Sequence, residues 1–231
     1  MDFIARGFVQ AFRLLYAQDE ETMVVLATTL RLTALSMAAI LALGLPLGFA
    51  LGYFSFPGKR AVRAATDTLL ALPTVVIGLL VYAFISRRGP LGGWELLFTV
   101  EGMAIGQVIL GTPIVAAYTA SAVEGLDCRL RQTLLTLGAS GARLAAASLW
   151  EARFLILTAA LTALGRIVGE VGSAMMLGGN IKWHTRTITT AITLETGKGD
   201  FALGIALGVI LILISLLLNI SLSFLRRRTQ N

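Results

Sequence analysis

Five stretches of this chain stay apolar for too long to be half-buried elements of a water-soluble domain. They cover about residues 24–54, 66–85, 99–120, 153–177 and 201–225. A helix needs about 20 mostly apolar residues to cross a hydrocarbon core about 30 Å thick, so each stretch is long enough. Only 14% of the 231 residues are charged, against about 25% in a soluble domain. The mean hydropathy is +0.82. The expected fold is an all-α membrane protein with five transmembrane helices in a single transmembrane domain, residues 1–231.

The net charge of +6 and pI of about 10.1 do not point to nucleic acid. Basic residues collect in the cytoplasmic loops of membrane proteins, and no Lys/Arg run lies beside stacking aromatics in a polar segment. One cysteine, Cys128, excludes an internal disulfide and a multi-cysteine metal site. The only histidine, His184, stands beside Trp183 in a predicted loop and reads as an interfacial residue.

Residues 1–16 place Phe3, Ile4, Phe8, Phe12 and Leu15 at helical spacing, with Arg6, Gln10 and Arg13 between them. This pattern predicts an amphipathic helix lying against membrane lipid rather than a cleaved signal peptide. In the first span Gly44, Gly48 and Gly52 make two consecutive GxxxG steps on one face, the mark of close helix–helix packing in lipid. Pro46 is a possible kink in the same span. Arg31 is near enough to the span's start to snorkel to the interface. Pro73 in the second span frees a carbonyl that needs a partner, with Thr74 a local candidate. Gly111-Thr112-Pro113 is expected to interrupt the third span, and residues 178–200 read as a polar loop.

Five spans put the termini on opposite sides. With Arg226 to Arg228 inside, ten basic residues are cytoplasmic: these three with Lys59, Arg60, Arg63, Arg129, Arg131, Arg143 and Arg153. Outside lie Arg87, Arg88, Lys182, Arg186 and Lys198, beyond the two in the amphipathic helix. The bias favours the N-terminus outside and the C-terminus inside.

That orientation makes residues 121–152 cytoplasmic. Thr133, Leu134, Leu137, Leu144 and Leu149 can form an apolar stripe there, while Arg131, Gln132, Arg143 and Glu151 stay accessible. The stretch is too polar to enter lipid yet offers apolar surface to a partner protein. Spacing alone leaves two readings, a docking element or a solvated connector.

Arg166 and Glu170 fall inside the fourth span at i and i+4, so on one helix they share a face and can pair. Charges at that depth need a partner or water, which leaves a structural ion pair and a pathway site both open. Gly165, Gly169 and Gly172 around them predict close approach of a neighbouring backbone. The chain carries no phosphate-binding GxxxxGK[ST] loop, no GxGxxG and no HExxH. Energy for uphill transport would have to come from an ion gradient or another subunit.

Gln132 to Glu151 resembles the cytoplasmic EAA loop of ABC importer permeases, with pattern E-A-A-x3-G-x9-I-x-L-P. Gly138, followed by Ala139 and Ser140, stands at the family's glycine; Gln132-Thr133-Leu134 takes the E-A-A place and Ser148-Leu149-Trp150-Glu151 the I-x-L-P place. Leu72 to Leu79 and Ser86 to Gly92 are similar to the second-span region of oxyanion permeases. Gly165-Arg166-Ile167-Val168-Gly169-Glu170-Val171-Gly172 is similar to the G-R-x-x-G-E-x-G segment of molybdate and tungstate permeases. The 149–154 and 175–181 segments look more like the tungstate branch.

The resemblance implies a type I ABC importer permease: a homodimer in lipid, two ATPase subunits beneath and an extracytoplasmic oxyanion-binding protein above. ATP and Mg would be used by the ATPase, with no cofactor bound by this chain, which is not itself an enzyme. Gln132, Thr133, Leu137, Gly138, Ala139, Ser140 and Arg143 would couple the chain to that ATPase. The competing readings are an ion-coupled carrier using Arg166 and Glu170, and a membrane scaffold that moves nothing.

Overall fold

The computed structural model describes the backbone of residues 2–137 and 139–228, and the side chains of these except at 2, 3, 128, 130, 131 and 221–228. Gly138 therefore lies outside the described residues, as do the side chains of Arg131 and of Arg226 to Arg228. Ten α-helices follow in order: α1 (Asp2–Tyr16), α2 (Glu20–Tyr53), α3 (Lys59–Leu70), α4 (Thr74–Ile85), α5 (Val100–Glu124), α6 (Cys128–Thr136), α7 (Gly141–Val168), α8 (Gly172–Gly178), α9 (Ile188–Gly197) and α10 (Phe201–Arg228). Among the described residues four helices are long and apolar enough to cross a membrane, namely α2, α5, α7 and α10, and α3 with α4 makes a fifth if the pair serves as one span.

Several expectations are corrected. The second span is not one helix. It is interrupted at Ala71-Leu72-Pro73, which leaves two helices of 12 residues each. Pro73 accounts for this, because the residue before a proline avoids helical backbone and proline suits a helix start. Its own carbonyl accepts from the N–H groups of Val76 and Ile77 at 3.0 and 3.3 Å. Conversely, Gly111-Thr112-Pro113 does not interrupt α5, which is continuous with Pro113 inside it. The fourth span starts earlier and stops sooner than expected, since α7 begins at Gly141 and ends at Val168. Residues 178–200 are not simply a polar loop, because they contain α9.

Two compact units are formed, one from Met1–Ser36, Pro73–Ile109 and Gly165–Asn231, the other from Met37–Leu72 and Leu110–Leu164. In the second unit the glycine face of α2 lies on α5. A Cβ at Gly48 would fall 2.5 Å from the Ala116 carbonyl oxygen, and one at Gly52 would fall 2.8 Å from that of Ala120. At Gly44 it would meet Val115 Cβ at 2.8 Å. Only hydrogen fits between these backbones. Below the glycines Ala122, Val123 and Ala152 are buried with Phe49, Tyr53, Leu126 and Ile156 around them. Lys59 Nζ reaches Glu124 at 3.0 Å and fixes the start of α3.

In the first unit α1 packs along α10 through Gly7, where a Cβ would lie 2.6 Å from Ile205 Cγ2. Ala11 is buried with Val25, Ile188, Ala191, Ala206, Leu207 and Ile210, while Ile4, Phe8 and Phe12 on the other side of α1 are exposed. The amphipathic helix thus has a packed small-residue face beside the apolar stripe it offers to lipid. Asp19 caps α2 by accepting from Thr22 N and Thr22 Oγ1 at 2.9 and 2.7 Å, and the Thr22 hydroxyl, then its N–H, hold the Asp19 carboxyl below its ordinary pKa.

The same unit contains a break between α7 and α8, where side chains bind three of the backbone groups. Gln107 Nε2 donates to the Ile167 carbonyl at 3.2 Å. Thr189 Oγ1 donates to the Glu170 carbonyl at 3.0 Å. Glu170 Oε1 accepts from Ser173 N at 2.9 Å at the start of α8. Helix α8 packs on α4, where a Cβ at Gly78 would lie 3.0 Å from Ser173 Cα. Helix α9 begins with a capping box between Thr187 and Thr190 and is tied to α2 by Ile188 N donating to Thr29 Oγ1 at 2.9 Å.

Three stability outcomes follow, each read by thermal unfolding in detergent. Gly48→Ala should lower stability by about 1–3 kcal/mol, because its nearest contact is backbone and the helices must separate. Gly208→Ala in α10, where a Cβ meets nothing within 4 Å, should be neutral or stabilising by up to about 1 kcal/mol. Glu170→Ala strands a buried Ser173 N–H and should lose about 1–3 kcal/mol, most of which Glu170→Gln should retain because its amide oxygen can still accept.

Candidate functional site

Two places hold the residues singled out from the sequence. The first is the polar segment between α5 and α7. Asp127 Oδ1 accepts from Arg129 N at 2.9 Å and starts α6. The helix is only nine residues long. Its end is closed by Leu137 N donating to Thr133 O at 3.1 Å and Ala139 N donating to Leu134 O at 2.9 Å. Leu144 N then donates to Ser140 O at 2.9 Å as α7 begins.

The expected stripe is therefore divided between two helices. Leu144 is buried, Leu134 is half-buried, and Leu149 and Leu137 are exposed. Gln132, Thr133, Ser140 and Arg143 are exposed, and Ala139 is half-buried. Leu137 shows 77% of its surface and Trp150 65%. Large apolar side chains presented this openly on a polar segment suit a protein partner. Farther along α7 the Arg153 guanidinium lies 4.7 Å from the Trp150 ring and 4.3 Å from the Phe154 ring, a cation–π arrangement that sequence spacing did not reveal.

The second place is the end of α7. Arg166 lies in its last turn, roughly 20 Å along the axis from Arg153 at about 1.5 Å per residue. Glu170 is not on the helix, because α7 has ended at Val168, so the pair does not share a helical face as spacing suggested. The contact that remains is 3.9 Å, Arg166 Nη1 to Glu170 Oε2, with side-chain exposures of 47% and 3%. That distance is an ion pair without a hydrogen bond. A charge at the membrane centre costs at least about 2.5–3.5 kcal/mol unless it reaches water or a close partner.

The glycines beside this pair differ from one another. A Cβ at Gly165 would meet nothing within 4 Å, and at Gly169 only the Gly165 carbonyl oxygen at 3.7 Å. Neither is held against another backbone, contrary to expectation. Gly172 is packed, with Val75 Cγ2 3.0 Å and Thr74 Oγ1 3.1 Å from its would-be Cβ.

The residues that sequence reasoning missed are Gln107, Thr189 and Thr29, the partners of the break and of α9. An amide in an otherwise apolar helix was a visible signal at Gln107. The threonines carried none, because threonine is common in apolar helices. Arg31 stands near enough to the start of its span to snorkel. The structure pairs it with Glu101, Nη2 to Oε1 at 2.8 Å. Among the described residues no group of three or more His, Cys, Asp or Glu could hold a metal ion.

Comparison with known proteins agrees with this arrangement. The chain is 45% identical to the tungstate uptake system permease protein TupB of Campylobacter jejuni, over 98% of this chain and 95% of that protein. It is 41% identical to a probable anion ABC transporter permease protein of Haloferax volcanii, over 88% and 90%. Against the molybdenum transport system permease protein ModB of Escherichia coli the identity is 28%, over 85% and 93%. Among solved structures, the inward-facing MetNI methionine ABC transporter matches 92% of this chain and 98% of its own with a TM-score of 0.75 at 19% identity. A bacterial alginate ABC transporter bound to its periplasmic protein matches 97% and 86% with a TM-score of 0.77 at 18% identity. These two likenesses establish the fold. The model of the binding-protein-dependent transport system inner membrane component matches residues 44–231, and the chain belongs to that family of membrane permeases.

Proposed function

We propose that this chain is the membrane permease of an ATP-driven importer whose cargo is tungstate, with molybdate the close variant. The observation that carries the reading is the 45% identity, over nearly the whole of both chains, to a permease named for tungstate uptake. Its support at the residue level is the G-R-x-x-G-E-x-G segment, Gly165 to Gly172. The working unit is a homodimer in the cytoplasmic membrane, N-termini outside and C-termini inside. A separate ATPase uses ATP and Mg, and an extracytoplasmic protein delivers the oxyanion.

The mechanism uses the exposed segment around α6. Gln132, Thr133, Leu137, Ala139, Ser140 and Arg143, with Gly138 among them, seat in a groove of the ATPase. Leu137 supplies apolar burial, and Gln132 and Arg143 supply hydrogen bonds around it. Closure of the ATPase pair pulls on this segment, and α7, whose helix begins at Gly141 directly after it, carries the displacement into the membrane. Gln132 offers a hydrogen bond where the family pattern has a glutamate's charge, so the seat depends less on ionic attraction.

Substrate identity is read from ATPase stimulation of the reconstituted permease–ATPase assembly by its binding protein. Tungstate should give half-maximal stimulation at a lower concentration than molybdate, and sulfate should give little; equal stimulation by sulfate would contradict the reading. Leu137→Asp should leave insertion and thermal stability unchanged, because the side chain is 77% exposed. It should also release the ATPase and cut uptake by about tenfold or more, as loss of a central interface anchor does. Wild-type uptake in that variant would remove the segment from the coupling role.

A further inference from the structure

We infer that Arg166 is the side chain through which this chain touches the oxyanion inside the membrane, and that Glu170 is a positioning residue that keeps the contact weak. The inference deepens the oxyanion reading above and rests on it.

Three basic side chains of the same unit are held by a carboxylate at hydrogen-bond distance. Arg31 is neutralised by Glu101 at 2.8 Å. Arg186 and Lys182 share Glu21 at 2.7 and 2.8 Å. Arg166 differs, because its partner carboxylate is 3.9 Å away and that carboxylate's other oxygen is engaged by Ser173 N. No acceptor among the described residues lies within hydrogen-bond distance of the Arg166 nitrogens. A guanidinium carries five N–H donors in a planar fork that matches two oxygens of an oxyanion. Here that fork is half-exposed on a helix apolar enough to cross the membrane.

The surroundings leave room for an anion. Gly165 precedes Arg166 in the last turn of α7 and Gly169 follows the helix end, and a Cβ at either would meet no side chain within 4 Å. Glycine at these places bares the backbone beside the guanidinium. Position is held from the other side: Glu170 is 3% exposed, its carbonyl is bound by Thr189, and Gln107 fixes the Ile167 carbonyl next to Arg166.

Weak contact is what a path requires, since an ion must enter favourably and still leave. An unpaired arginine in a water-poor path would hold a dianion too long. A carboxylate at 3.9 Å offsets part of the positive charge without occupying the donors, so the anion can exchange.

The test is tungstate uptake by the complete permease–ATPase assembly in proteoliposomes with loaded binding protein, measured beside stimulated ATPase activity. Arg166→Gln alone strands the buried Glu170 charge, so the decisive variant is Arg166→Gln combined with Glu170→Gln, which removes both charges and keeps an acceptor for Ser173 N. The double variant should lose about tenfold or more of uptake while stimulated ATPase activity stays within about twofold, a split that a purely structural role does not produce. Arg166→Lys should recover part of the uptake, since charge returns without the fork. Glu170→Gln alone should lower maximal uptake without raising the half-saturating tungstate concentration, as a firmer contact slows exit. Double-variant uptake within about twofold of wild type overturns the inference and leaves the substrate reading intact. Parallel loss of assembly and ATPase stimulation also overturns it, in favour of a structural pair. A wild-type assembly that stimulates its ATPase yet carries no tungstate overturns both.

Discussion

The Glu170 carboxylate and the Ser173 N–H it accepts are the contact on which the first unit depends. In lipid every backbone N–H and C=O must find a partner within the protein, and an irregular backbone persists only where such partners are built in. The α7–α8 break meets that requirement with side chains from three different segments: Gln107 for the Ile167 carbonyl, Thr189 for the Glu170 carbonyl and Glu170 itself for Ser173 N. Placement of α8 follows from it, because α8 lies on α4 at Gly78. Placement of α9 follows as well, since Thr189 belongs to α9 and Ile188 N is bound by Thr29 of α2.

The second unit is organised by a different constraint. Hydrophobicity does not drive helix association in lipid, so α2 and α5 are held by close backbone approach at Gly44, Gly48 and Gly52. Polar contacts are gathered at one end of that helix pair, where Lys59 meets Glu124. The short segment around α6 belongs to this unit and carries exposed leucines and a tryptophan.

The apolar stretches and the glycine face were legible in the sequence, because hydropathy over about 20 residues and a four-residue glycine period are local signals. The breaks were not. Pro73 ends a helix whereas Pro46 and Pro113 lie inside continuous ones, so a proline in an apolar stretch does not by itself tell a break from a continuous helix. Helix α9 was hidden because its threonines look polar, although Thr193 and Thr196 return their hydroxyls to their own helix at Thr189 O and Ile192 O. Arg166 and Glu170 were found, but their i, i+4 spacing suggested one helix face where the structure has a helix end. The family resemblance was legible along most of the chain, with the loop from Gln132 to Glu151 its least regular part.

The account stands on transport being driven by a separate ATPase through this membrane subunit. The most direct measurement is tungstate uptake into liposomes holding the purified permease alone, then the permease with its ATPase and binding protein, under an imposed ion gradient or with internal and external ATP compared. Uptake only in the complete assembly, and only with ATP on the ATPase side, is the predicted result. Gradient-driven uptake by the permease alone would contradict the account and favour an ion-coupled carrier.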